Sequence, residues 1–392
     1  MTEKIQSPYL PICIGVFGQA VSLILIYYLQ INDILYDVDR LLIDLQLAAL
    51  LANLIGARQE LFLLTKKNTG AVLEINKNYF FNFIKSHCAH LLLCLIISLL
   101  YQNIFSIYFI ALGFHAFIAV TTIAVFKGDL LGSAFVRCFN VLLPPLMSVI
   151  LITGFGIQFS IYDCVFYLAV FQLIFSSFYV YKFLTRQIEF VSSNEKSFNC
   201  LLMYGSGLFN SFFQHGPLIL IGLSSAGAQD LLYLIARLLN APVTIFGKIF
   251  GEYSRTLFFS DQSTFFKFER WNFLLLFGGV VTIIVVFIYD KFFLNIFSVF
   301  FRETGMDTFH IILWLSVFYL IRFFLVNFSL IPISKKGLIG DFYLNLMLGL
   351  PLFFLTMIVF YSSDFFFWPF LACSYMMVLT WFYIFMRAQI SV

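Results

Sequence analysis

The chain has 392 residues, of which 61% are apolar and 20% aromatic, while charged residues make up only 11%. Soluble domains hold roughly 45–50% apolar residues, and here the apolar runs tile the whole length, which excludes a soluble domain of ordinary size. The formal net charge of +3 excludes the strongly basic footprint that binding to nucleic acid requires.

A helix needs about 20 apolar residues to cross a bilayer. On that ruler the sequence predicts twelve spans, at Leu10–Leu29, Leu42–Leu63, Phe80–Leu100, Phe105–Phe126, Val136–Ile157, Tyr162–Phe183, Cys200–Leu223, Leu231–Ile249, Trp271–Phe293, Phe309–Leu330, Leu338–Phe360 and Phe366–Met386. The runs are rich in Leu, Ile and Phe and do not alternate, so helices are expected rather than barrel strands. The predicted class is therefore an all-α integral membrane protein. No cleavable signal is expected, because the first run is too long for one and Phe17-Gly18-Gln19-Ala20 is a poor cleavage site.

Lysine and arginine orient the chain. With the N-terminus inside, seventeen of them fall on inner segments, among them Lys66, Lys67, Lys127, Arg137, Lys248, Lys335 and Lys336, and only Arg40, Lys291 and Arg302 fall outside. That asymmetry predicts an even number of spans and cytoplasmic termini. The longest inner connections are near Thr65–Tyr79, Leu184–Asn199 and Gly251–Arg270. The middle one is the expected join between two six-helix halves, residues 1–190 and 191–392.

The first and seventh spans match in place. QAVSLILI from Gln19 and QHGPLILI from Gln214 agree at five of eight positions. Gly15, Gly18, Gln19 and Ser22 share one helical face, as do Gly207, Asn210, Gln214 and Pro217. Related halves with the substrate between them are common in transporters. On the second span Gln46, Asn53 and Glu60 share a face from which Arg58 points away. The eighth span carries a stripe of Asp230, Tyr233, Arg237, Asn240, Thr244 and Lys248 against Leu, Ile, Val and Ala. One continuous polar stripe either lines water or packs on a polar neighbour.

Three arginines lie within the apolar runs: Arg58, Arg237 and Arg322. A guanidinium at the bilayer centre costs about 2.5–3.5 kcal/mol on the insertion scale, so it is expected to face a partner or a wet cavity. It stays protonated and grips phosphate with a planar fork. By helical rise Arg237 sits roughly 9–12 Å below the outer face, and Arg322 and Arg58 roughly 20–24 Å below it. Structural alternatives stand beside this reading: Arg58 within reach of the inner headgroups, and Arg322 paired with Asp341. Pro144-Pro145, Pro217, Pro242, Pro351 and Pro369 fall within spans, where they either act as hinges or kink ordinary packing. His87 and His90 are three apart, but nothing completes a metal site around them. The seven cysteines imply no disulfide framework.

LLYLIARLLNAPVTIFGKIFGE, Leu231 to Glu252, with Tyr233, Ala236, Arg237, Pro242 and Gly247, resembles the eighth span of the bacterial polysaccharide flippases, the Wzx-type O-antigen and capsule-repeat exporters. NSFFQHGPLILIGLSSAGAQD, with Asn210, Gln214 and Pro217, resembles their seventh span. ALLANLIGARQELFLLTKKN resembles their second, with Gln59 where an aromatic residue is usual. The superfamily also holds multidrug and toxin exporters and lipid II flippases. The resemblance implies two six-helix bundles facing a central cavity. It implies a cargo as well: an oligosaccharide repeat unit on undecaprenyl pyrophosphate, moved from the inner to the outer leaflet of the bacterial cytoplasmic membrane by alternating access. Partners implied are that lipid-linked oligosaccharide, membrane lipids, and the polysaccharide polymerase and assembly proteins, with no nucleic acid and no cofactor.

On that reading Arg237 and Lys248, supported by Arg58 and Arg322, bind the pyrophosphate, while Gln19, Asn210, Gln214 and Tyr233 bond sugar hydroxyls. Asp341, Glu60 or Asp44 is the candidate site for a coupling proton or sodium ion. Two alternatives compete. A cation exporter of the same fold should carry buried carboxylates rather than arginines. A polysaccharide polymerase or lipid-linked glycosyltransferase should present a sizeable outer loop, whereas the longest here is about Phe293–Thr308.

Overall fold

In the computed structural model the described residues are 9–31, 41–55, 73–74, 88–92, 94–96, 98–99, 104–126, 129–157, 161–189, 207–216, 218–219, 236, 239–240, 243, 249, 251, 253, 315–323, 338–361 and 378. They form helices α1 (Tyr9–Ile31), α2 (Leu41–Ile55), α3 (Ile104–Phe126), α4 (Leu130–Val149), α5 (Ile161–Gln187), α6 (207–216), α7 (315–323) and α8 (Leu338–Tyr361). Three helical stretches, Tyr9–Leu29, Ile104–Thr122 and Leu130–Gly154, are long and apolar enough to cross a membrane. Exposed Tyr9, Ile24, Phe139, Phe171 and Met347 are what a bilayer-facing surface requires, so the chain is a helical, multi-pass membrane protein. The predicted spans Tyr162–Phe183 and Leu338–Phe360 are also helical throughout, while the others, including the whole of the ninth, are wholly or partly outside the described residues.

One strand pairing departs from an all-helical chain. Leu73–Glu74 pairs in parallel with Ile188–Glu189. The pairing joins two connections both predicted to be inner, and the four predicted spans between them return the chain to the same side.

Helix α4 starts six residues before the predicted span. Asp129 explains the difference: its Oδ1 accepts a 2.7 Å hydrogen bond from Gly132 N–H, an N-cap at the positive end of the helix dipole. Arg137, assigned by sequence to an inner segment, therefore lies within the helix. Buried Pro144 and Pro145 remove two amide donors from the ladder of α4, and the chain continues as a π-turn over Ile150–Gly154. Gly156, at φ 64°, ends it, with its N–H and that of Ile157 returning to the carbonyls of Ile152 and Leu151.

Helix α1 packs along α4, α3 along α5, and α2 on α3. Close approach depends on small residues, as is usual between membrane helices. A Cβ on Gly18 would lie 2.5 Å from Cys138 Sγ, and one on Gly113 would lie 2.6 Å from Ala169 Cα. Beside these contacts Ser22 Oγ donates to the carbonyl of Val141 at 3.1 Å, and Phe109 meets Phe166 edge-on. In the second half of the sequence Phe209 and Phe212 of α6 clasp Phe353 of α8. Phe213 and Phe318 are fully buried in the same apolar core as Ile26, Ile55 and Ile107, so both halves share one core.

Candidate functional site

A cavity of about 400 Å³ is lined by residues from both halves of the sequence. The N-terminal half supplies Gln19 from α1, Gln46 and Asn53 from α2, Asn140 from α4 and Gln172 from α5. The C-terminal half supplies Gln214 and His215 from α6, Asn240, and Tyr319 and Arg322 from α7. The polar part of an otherwise apolar lining is therefore mostly carboxamide. Each carries two donors and an acceptor, the complement of a hydroxyl-rich ligand. Among the described lining residues there is one full positive charge and no carboxylate.

The opposite side of α1 and α4 provides the contrast. There an apolar groove of about 430 Å³ is lined by Cys13, Phe17, Cys138, Phe139, Leu142 and neighbouring residues. Gln19 and Asn140 follow Phe17 and Phe139 by one or two positions, and a helix turns by about 100° per residue. One pair of helices thus presents a polar side to the cavity and an apolar side elsewhere.

Two hydrogen-bonded seams cross the site. In the first, Arg322 Nη2 donates to Gln214 Oε1 at 3.4 Å, and Gln214 Nε2 donates to Asn210 Oδ1 at 2.8 Å. Asn210 and Gln214 are four apart, one above the other on α6. The guanidinium is thereby seated by a neutral amide. The second seam starts one residue later. His215 Nδ1 lies 2.7 Å from Gln46 Oε1, and His215 Nε2 lies 3.4 Å from Asn53 Nδ2. This seam runs from α6 to α2, from one half to the other.

The amides of Asn140 and Gln172 also bond, Nε2 of Gln172 donating to Oδ1 of Asn140. Among the described residues Gln172 Oε1 is buried without a hydrogen bond, an acceptor at the cavity wall. His115 donates from Nδ1 to the carbonyl of the lining residue Ala52 at 3.1 Å and ties α3 to α2.

The structure brings together Gln19, Gln214, Asn210 and Arg322 of the residues expected from sequence. Arg237, Lys248, Arg58 and Tyr233 lie outside the described residues, as do Glu60 and the side chain of Asp341. Of the eighth-span stripe only Asn240 is described, and it lines the cavity. The partner given to Arg322 is Gln214. Sequence reasoning assigned no role to His215, Asn140 or Gln172. Asn140 and Gln172 are isolated polar residues in apolar runs, and only that isolation marked them. His90, of the sequence-noted histidine pair, is buried, and among the described residues no three His, Cys, Asp or Glu side chains gather as a metal site would need.

No protein-family model and no curated protein matches the chain. Among solved structures it is similar to the crystal structure of the eukaryotic MATE transporter AtDTX14, with 13% identity and a TM-score of 0.48, over 96% of this chain and 94% of that one. It is also similar to a multidrug resistance MATE family transporter of the MOP superfamily in an outward-facing conformation, with 13% identity and a TM-score of 0.46, over 97% of this chain and 94% of that one.

Proposed function

We propose that the chain is a transporter of twelve spans in two six-helix halves, and that it flips a lipid-linked oligosaccharide on a polyprenyl pyrophosphate across the bacterial cytoplasmic membrane. The observation that carries this reading is the cavity lined from both halves, whose polar residues are mostly amides and which holds one seated arginine with no described carboxylate beside it. A sugar needs many neutral donors and acceptors at once, and a pyrophosphate needs a cation that stays protonated. The lining offers both. Arg322 meets the pyrophosphate, while Gln19, Asn140, Gln172, Gln214 and Asn240 meet hydroxyls. Arg237 and Lys248, from the segment that resembles the flippases, add positive charge, with Arg58 and Tyr233 in support. The lipid tail stays in the bilayer, and the halves rock about the site to expose it to each side in turn. On this reading the chain transports and catalyses no bond chemistry.

A lipophilic cation would find no described carboxylate at this site and would be repelled by Arg322, so export of cationic drugs is disfavoured. Native mass spectrometry of the purified protein tests the choice. Polyprenyl-pyrophosphate oligosaccharide should be retained when a lipophilic cation is not, and Arg322→Ala should weaken that retention. Retention of the cation in preference to the pyrophosphate lipid would overturn the assignment.

A further inference from the structure

The apolar groove on the outer side of α1 and α4 is long and narrow. Its α4 wall is Phe135, Cys138, Phe139, Leu142 and Leu146, spaced by three and four residues so that they form one line along the helix. Phe17 of α1 and Phe139 of α4 stand at its rims, 62% and 64% exposed. Between them the helices come together at Cys138, which sits against Gly18. From Phe135 to Leu146 the wall runs roughly 16 Å at 1.5 Å per residue. A volume of about 430 Å³ over that length leaves a cross-section of roughly 25 Å². A helix, about 10–12 Å across with its side chains, needs more than about three times that area. A helix of a partner or of a second copy therefore does not fit, whereas one hydrocarbon chain, packing at about 4 Å from its neighbours, does.

The groove is also continuous with the cavity around the open side of α1. At about 100° per residue, Val16, Ala20, Ile24 and Phe17 follow the cavity residue Gln19 at roughly 60°, 100°, 140° and 160° around the helix. All four are apolar and exposed, so a hydrocarbon-facing surface leads from the cavity edge to the groove rim. On the predicted orientation α1 and α4 both start at the inner side, and the groove begins about 8 Å up α4, at the level of inner-leaflet lipid tails.

We propose that the groove between α1 and α4 seats the polyprenyl tail of the cargo lipid, led there around α1 while the headgroup is in the cavity. The proposal rests on the lipid-linked cargo read from the cavity. Inside a bilayer there is no hydrophobic drive toward an apolar protein face, so a tail gains only packing in the groove. A phospholipid tail has nothing else to bring it there. A tail whose headgroup is held by Arg322 and the amides reaches the groove as an intramolecular step, at high effective concentration. The path from Gln19 to Phe17 is a little under half a turn around α1, on the order of 15 Å, a distance that a few prenyl units span.

The test is photo-cross-linking of the full protein in nanodiscs of phosphatidylethanolamine and phosphatidylglycerol that contain a small mole fraction of polyprenyl-pyrophosphate oligosaccharide. Phe17→p-benzoylphenylalanine and Phe139→p-benzoylphenylalanine put a photoreactive ring at the two rims. Met347→p-benzoylphenylalanine puts one on α8, at a side chain 73% exposed. Adducts with the prenyl lipid, read by mass and scaled to its mole fraction, should be at least about tenfold richer at the two rims than on α8. Adding Leu142→Trp, which fills the groove, should cut the rim adducts about tenfold. Prenyl adducts equal at the three positions would overturn the seat. So would rim adducts in proportion to bulk phospholipid, rim adducts with a second copy of the protein, or rim adducts undiminished in folded Leu142→Trp. Should Leu142→Trp fail to fold, the comparison of the three positions decides alone. Enrichment at the rims of a protein that does not move the lipid between leaflets would support the seat and overturn flipping. Movement without enrichment would do the reverse.

Discussion

Gln214 and His215 are neighbours in sequence and begin two different seams. Gln214 faces Arg322 and Asn210, so its bonds stay within the C-terminal half. His215 faces Gln46 and Asn53, so its bonds join that half to the other. The turn of about 100° between consecutive helical residues is enough to separate them. The difference assigns separate tasks to one helix. The first seam seats a guanidinium, and the second joins the two halves of the sequence. On the proposed alternating-access reading, a seam within one half can persist through the cycle, whereas a seam between halves must break.

The largest expected effect is on the first seam. Arg322→Ala removes the one described cation of the cavity and should lower flipping by about tenfold to a hundredfold, the scale of a charged hydrogen bond worth about 1.5–3 kcal/mol. Flipping of a fluorescent lipid-linked oligosaccharide in proteoliposomes measures it. Arg322→Lys should recover only part of the rate, because an ammonium lacks the planar fork. Next comes Gln214→Leu, which deprives the guanidinium of its acceptor and Asn210 of its donor. A stability loss of about 1–3 kcal/mol is expected, read as a lower melting temperature in detergent.

Gln46→Leu breaks the second seam and spares the first, so hydrogen exchange in residues 46–53 and 207–216 should quicken, while retention of the pyrophosphate lipid in native mass spectrometry should fall less than in Arg322→Ala. Equal effects of Gln214→Leu and Gln46→Leu on both readouts would mean that the seams are one unit. The smallest effect belongs to Ser22→Ala. It removes a bond to the Val141 carbonyl that belongs to neither seam, at a cost of about 1 kcal/mol or less. The melting temperature should fall slightly, with flipping unchanged.

Sequence alone revealed the membrane helices well where polarity was unambiguous. Tyr9–Ile31, Ile104–Phe126 and Leu338–Tyr361 match their predicted runs to within two residues at each end. The start of α4 was missed because hydropathy ignores capping, and Asp129 rather than the first long apolar stretch begins that helix. At the site, helical periodicity had already placed Gly18, Gln19 and Ser22 on one face of α1, and all three are buried in the structure. Gln46 and Asn53 were likewise seen to share a face, but what that face meets depends on a contact more than 160 residues away. No local pattern encodes such a pairing. Arg322 had depth and few polar neighbours in sequence for the same reason, since its partner lies on another helix 108 positions earlier.

The central claim is that one cavity between the halves recognises an anionic, hydroxyl-rich lipid through Arg322 and the amides around it. The most direct measurement is the rate at which reconstituted protein moves a fluorescent polyprenyl-pyrophosphate oligosaccharide between leaflets, compared with the same rate for Arg322→Ala at matched protein content. Fast movement by the wild type, reduced at least about tenfold in the variant, is the predicted result. Equal rates for the two proteins, or no movement above empty liposomes by the wild type, would contradict it.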